Sequence, residues 1–81
     1  MKKKKITPIV RINDPELEEN IIECLTCFPG ARKREIAYDC RVSVKDLIRL
    51  LYQMCDDGKL YYVIHRDMAN MEYYEKYFVK R

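Results

Sequence analysis

The chain has no tryptophan, two glycines, three prolines and a single histidine in 81 residues. Two glycines cannot build a glycine-rich phosphate loop. His65 stands alone in a run of β-forming residues, with no serine or cysteine arrangement beside it for nucleophilic chemistry. No apolar run approaches the roughly 18 residues that a membrane span needs. The basic run Lys2–Lys5 is not followed by an apolar signal-peptide core, so the expectation is a cytoplasmic chain with no membrane partner. The first thirteen residues also lack any acid.

What is present describes one small domain. A chain of this length buries only about 60% of the surface that its unfolded form exposes, so its stability is modest or supplemented by association. The hydrophobic fraction of 48% and charged fraction of 36% belong to a globular chain rather than a disordered one. The net charge of +3 is unevenly distributed. Residues 1–13 carry Lys2, Lys3, Lys4, Lys5 and Arg11. Residues 14–29 carry Asp14, Glu16, Glu18, Glu19 and Glu23 with no base. Residues 30–41 carry Arg32, Lys33, Arg34 and Arg41 against Glu35 and Asp39. An acidic block beside a basic one suggests one face held off a polyanion and another presented to it; a solvated charged surface is the plainer reading.

Four cysteines raise zinc and disulfides. Cys24 and Cys27 form a CxxC pair, but on a helical pattern, and Cys40 and Cys55 lie near helix ends that face the core. Zinc wants paired ligands on loops or knuckles. The expectation is reduced core thiols, with no metal and no cofactor.

The periodicities give five elements after a basic N-terminal arm, or short strand, over 1–13. Pro8 within Ile6–Ile12 confines any strand there to an edge. Asp14-Pro15 opens a first helix, with a capping acceptor and then proline at the first helical position. Leu17, Ile21, Cys24, Leu25 and Phe28 make its buried stripe, and Pro29-Gly30 ends it. A second helix covers Arg32 to Cys40, with Ile36, Ala37 and Cys40 inward. Arg41-Val42 makes a turn in which Val42 plugs the core, and Ser43 caps a third helix running from Val44 to about Asp57. There Leu47, Leu50, Leu51, Met54 and Cys55 face inward, while Lys45, Asp46, Arg49, Tyr52 and Gln53 face outward with Ile48 at their border. Gly58 stops the helix. LYYVIHR then reads as a strand, Asp67–Asn70 as a turn and Met71–Val79 as a returning strand. A helix over 71–79, with Asp67 as N-cap and Met68, Met71, Tyr74 or Glu75, and Phe78 on one face, is the alternative to that second strand.

IAYDCRVSVKDLIRLLYQMCDDGKLYYV resembles the winged helix–turn–helix superfamily. The likeness rests on Ile36-Ala37, Val42-Ser43, Leu47, Leu51, Met54, Gly58 and Leu60, and covers roughly Leu17 to Val79. It implies an α+β fold over 14–81: a three-helix winged helix–turn–helix with a C-terminal two-stranded β-hairpin wing. It also implies double-stranded DNA as partner, with the third helix in the major groove and the wing near phosphates. A narrower likeness, to winged domains that bind left-handed nucleic acid, extends to Tyr52. It departs at Ile48, where that family has asparagine, and in the absence of a Pro-Pro-x-Trp hairpin.

On that reading Lys45 and Arg49 contact bases or phosphates, with Tyr52 and Gln53 beyond them. Arg32, Lys33 and Arg34 meet the backbone at the start of the second helix, and Arg66 and Lys76 flank the hairpin. For each residue the plainer reading is a solvated charge. The expected function is sequence-specific DNA binding by a small transcriptional regulator, acting as a homodimer on two half-sites. Asp46 and Ile48 on the proposed DNA face, and five tyrosines between Tyr61 and Tyr77, keep a second expectation open: a protein-interaction module or adaptor with the same fold. Asp56-Asp57 reads as solvated rather than as a catalytic pair, and the chain is not expected to be an enzyme.

Overall fold

Asp14 caps the first helix as its sequence requires. In a computed structural model describing residues 11–81, its Oδ1 accepts from the Leu17 N–H (3.1 Å), and Pro15 opens α1, Pro15–Cys27. The basic run Lys2–Lys5 and residues 6–10 of the candidate strand lie outside the described residues. Arg11 and Ile12 belong to no regular element. Ile21, Cys24 and Leu25 of α1 are buried and Leu17 is half-buried. Phe28, expected in the same stripe, is 63% exposed. It is the C-cap, with φ −131° and ψ 72°, so it has left the helix and helical spacing no longer turns it inward.

Gly30 holds a backbone conformation in which any other residue would be strained. Its φ is +86°, and a Cβ there would lie 3.4 Å from the Phe78 ring. Its N–H donates to the Tyr77 carbonyl (2.8 Å), and the Tyr77 N–H donates to the Ala31 carbonyl (3.1 Å). This single bridge fastens the α1–α2 connection to the last strand.

The second helix, α2 (Lys33–Cys40), starts with the Glu35 carboxylate accepting from the Arg32 N–H (2.8 Å). It ends with Arg41 in the left-handed region, φ 61° and ψ 43°. Val42 N–H donates to the Ala37 carbonyl and Arg41 N–H to that of Tyr38, the paired bonds of a Schellman motif. Such a motif brings Val42 back over Ala37, which is how Val42 packs on the core. Ser43 Oγ then accepts from the Asp46 N–H (3.1 Å), capping α3, Val44–Asp56. The same motif closes α3 at Gly58, φ +81°, through Lys59 N–H to Met54 and Gly58 N–H to Cys55.

Strands β1 (Leu60–Asp67) and β2 (Glu72–Val79) pair antiparallel in a register with no bulge, from Leu60 opposite Val79 to Asp67 opposite Glu72. The turn is tied by the Asp67 carboxylate, which accepts from Ala69 and Asn70. Residues 72–79 are therefore strand, not helix. Three helices followed by a C-terminal two-stranded hairpin give the α+β winged-helix arrangement that the sequence implied.

The core lies where α1, α2 and α3 meet the base of the hairpin. Ile21, Ile36, Leu47, Leu50, Leu51, Met54, Leu60 and Tyr77 are fully buried, and each such aliphatic side chain contributes about 2 kcal/mol. Of the four cysteines only Cys24 is buried. Cys40 and Cys55 are half-buried beside the core, and Cys27, expected inside, is exposed one residue before the α1 cap. Burial, reinforced by Asp39, pushes the Cys24 thiol up to about 12, and burial also raises those of Cys40 and Cys55. Burial thus disfavours the nucleophilic thiolate at all three. Among the described residues no group of cysteine, histidine and carboxylate side chains is placed to hold a metal.

Candidate nucleic-acid interface

The outward side of α3 is narrower than its sequence suggests, because both flanks are occupied. Residues at i, i+4 and i+8 share a helix face, so Val44, Ile48 and Tyr52 form one stripe. Val44 lines a cleft with Ile64, Arg32, Lys33 and Tyr74, and Tyr52 meets Tyr62 edge-on with ring centroids 6.3 Å apart. That stripe therefore faces the hairpin. It accounts for Ile48, half-buried on the helix side turned to the wing.

The opposite flank is held by the start of the described chain. Gln53 grips the Ile12 backbone with both ends of its amide: Nε2 donates to the carbonyl and Oε1 accepts from the N–H, each at 2.9 Å. One turn on, Asp57 takes both terminal nitrogens of Arg11, at 3.2 and 2.6 Å. That hydrogen bond raises the arginine and holds the Asp57 carboxyl below its usual range.

Between the flanks run Lys45, Arg49 and Asp56, all exposed, with Asp46 at the margin. Among the described residues neither Lys45 nor Arg49 is held in an ion pair. Asp46 sits in the first helical turn, where the helix dipole favours a carboxylate.

A polar knot joins α2, α3 and β2 behind this strip. The Glu75 carboxylate accepts from the Tyr52 hydroxyl (3.0 Å) and from that of fully buried Tyr77, and Lys33 Nζ stands 3.5 Å away. Burial pushes the Glu75 carboxyl up, but the two hydroxyls and the Lys33 ammonium outweigh it and leave it below its ordinary value. The Tyr77 hydroxyl is raised, by burial first and then by Glu75. Lys33 also lies 6.0 Å above the Tyr52 ring.

Ladder parity sorts the remaining candidates. Side chains of Tyr62, Ile64, Arg66, Tyr73, Glu75 and Tyr77 share the hairpin face turned to α3. Arg66 is on that face, its guanidinium 5.3 Å from the Tyr73 ring. Lys76 is on the reverse face with Tyr74 and Phe78, so it does not join Lys45 and Arg49. Arg32 stacks over Tyr74 at 4.5 Å, and exposed Arg34 borders the clefts on both sides of α2. Thus Lys33 and Tyr52 meet at Glu75, Arg66 lies on the hairpin face turned to α3, and Lys45 and Arg49 stand on the open strip of α3. Gln53 is engaged elsewhere, and Lys76 points away.

Glu75 and Ile12 were not singled out from sequence, and Asp57, read there as solvated, is paired with Arg11. Glu75 did leave a trace: it has the inward parity of Tyr77 and Val79, a register where a carboxylate needs donors. Set against family models, curated proteins and solved structures, the chain finds no match.

Proposed function

We propose that this chain is a winged helix–turn–helix protein that binds double-stranded DNA, a small transcriptional regulator whose third helix enters the major groove. The observation that carries the reading is the open strip of α3, where Lys45 and Arg49 are exposed one turn apart and free of ion pairs among the described residues. Helix α3 is long enough to lie along a groove, and Arg66 lies on the wing face turned to α3. Lys33 and Arg34 at the start of α2 add phosphate-binding charge where free helix N–H groups also point outward. The knot at Glu75 sets the angle between helix and wing. Gln53 serves as a clasp for the N-terminal segment rather than as a reader of adenine.

The test is binding of the full chain to a mixed-sequence duplex by fluorescence anisotropy across a salt series. Affinity should fall steeply with salt, and the Lys45→Ala, Arg49→Ala double variant should reduce it at least tenfold and flatten the salt slope by about two. Absence of binding at low salt refutes the DNA reading. Undiminished binding by the double variant refutes the assignment to α3.

A protein-interaction module on the same scaffold is the second reading. It is favoured by the apolar side chains the hairpin leaves exposed, among them Val63, Ile64, Met68 and Met71.

A further inference from the structure

Strand β1 has one edge that nothing among the described residues covers. Across the sheet the order is Ala31, β2, β1, so β2 is flanked on both sides and β1 on one. The bare edge lacks the devices that keep strand edges apart: it has no proline, its register holds no bulge, and between Lys59 and Arg66 only His65 can carry charge. Tyr61, Tyr62, Val63 and Ile64 are each 42–55% exposed. A two-stranded hairpin is marginal by itself and needs further strands or packing against a helix; here Leu60 and Tyr77 at its base are buried with the helices, while residues 61–66 stay exposed.

We propose that this edge pairs with the same edge of a second copy, two β1 strands running antiparallel about a twofold axis at Val63. The two hairpins then form one four-stranded sheet in the order β2–β1–β1–β2, an isologous contact. An axis perpendicular to the sheet keeps like faces together, so only residues of equal parity oppose each other. Centring on Val63 sets Lys59 opposite Asp67 of the second copy, Tyr61 opposite His65 and Tyr62 opposite Ile64. Centring on Tyr62 instead sets Lys59 opposite His65 and leaves Asp67 without a strand partner, because Asp57 lies in the α3 cap, and centring on Ile64 leaves Lys59 unopposed, so charge selects Val63. Lys59 is ion-paired to Glu18 at 2.7 Å, but its side chain is half exposed and can face a second carboxylate. The pairing uses no DNA and stands apart from the reading of α3.

The test is sedimentation equilibrium of the full chain, wild type beside Val63→Glu and Val63→Lys. At the axis each substitution sets two like charges face to face, which disfavours the pair. Within its own hairpin Val63 lies opposite Lys76, so Val63→Glu gains an opposite charge and the monomer stays folded, as circular dichroism checks. The wild type should dimerise, each variant alone should dimerise at least tenfold more weakly, and an equimolar mixture of the two should recover the association. A wild type that remains monomeric at about 0.5 mM, beyond what even a small specific interface needs, overturns the proposal. So does either variant dimerising like the wild type, or a mixture that stays monomeric.

Discussion

Replacing Glu75 with alanine isolates the knot that joins the wing to the helices. Tyr77 is fully buried, and its hydroxyl donates to Glu75. Without that acceptor, a buried hydroxyl left unsatisfied costs about 1–3 kcal/mol. Tyr52 is 37% exposed, so its hydroxyl recovers water at little cost. The expected loss is about 2 kcal/mol, and at roughly 4–8 °C per kcal/mol for a domain of this size the melting temperature should fall by about 8–16 °C. Urea unfolding of Glu75→Ala, Tyr77→Phe and the double variant checks the cause. In the wild-type background Tyr77→Phe removes a charge-assisted bond and should cost about 1.5 kcal/mol. In the Glu75→Ala background it removes the orphaned hydroxyl and should cost nothing or stabilise. The cycle should thus show a coupling of about 1 kcal/mol or more; additive costs would refute the reasoning. Acid titration gives a second readout. Glu75 has a folded pKa below its ordinary 4.5, so its stabilisation is fully present above that value and is lost as pH falls through the folded value. Glu75→Gln, which takes up no proton there, should lose less stability over the same acid range.

Two further outcomes follow from the turns and the clasp. Arg41→Gly relieves a non-glycine residue of a left-handed conformation at φ 61° that costs about 1–2 kcal/mol; after the entropic cost of glycine the chain should melt several degrees higher, and an unchanged or lower melting temperature counts against the strain. Gln53→Ala removes both bonds to Ile12, so amide exchange at Ile12 should accelerate while that of Leu50 and Leu51 is unchanged; protection retained at Ile12 would show that Arg11 and Asp57 hold the segment alone.

The scaffold was legible because its signals are local. Asp14-Pro15, Ser43 and Gly58 are caps whose side chain or φ acts within a few residues, and the apolar spacing of Leu47, Leu50, Leu51 and Met54 needs only the helix to explain it. The strand at 72–79 followed from β-forming residues after a turn. The reading failed where a residue's role is set by something distant in sequence. Phe28 continued a helical pattern that had already ended. Gln53 looked like an outward polar residue, but its amide is engaged by the backbone of Ile12. Lys76 and Arg66 read alike as wing cations, yet ladder parity puts them on opposite faces. Ile48 looked misplaced on a groove-reading helix until the hairpin supplied the surface it turns toward.

The two strands of the wing do unequal shares of the structural work. Each strand contributes one fully buried residue, Leu60 from β1 and Tyr77 from β2, but β2 also carries Glu75 and the bridge to Ala31. Most surface substitutions cost little, and those that disturb a buried network cost much. Mutational tolerance of the fold should therefore differ between the strands: changes at Glu75 or Tyr77 disturb folding, while changes at exposed positions of 61–66 act first on what the wing binds. Over evolutionary time the outer strand becomes the part of the molecule that can acquire a new specificity first, because its sequence can drift while the fold is kept.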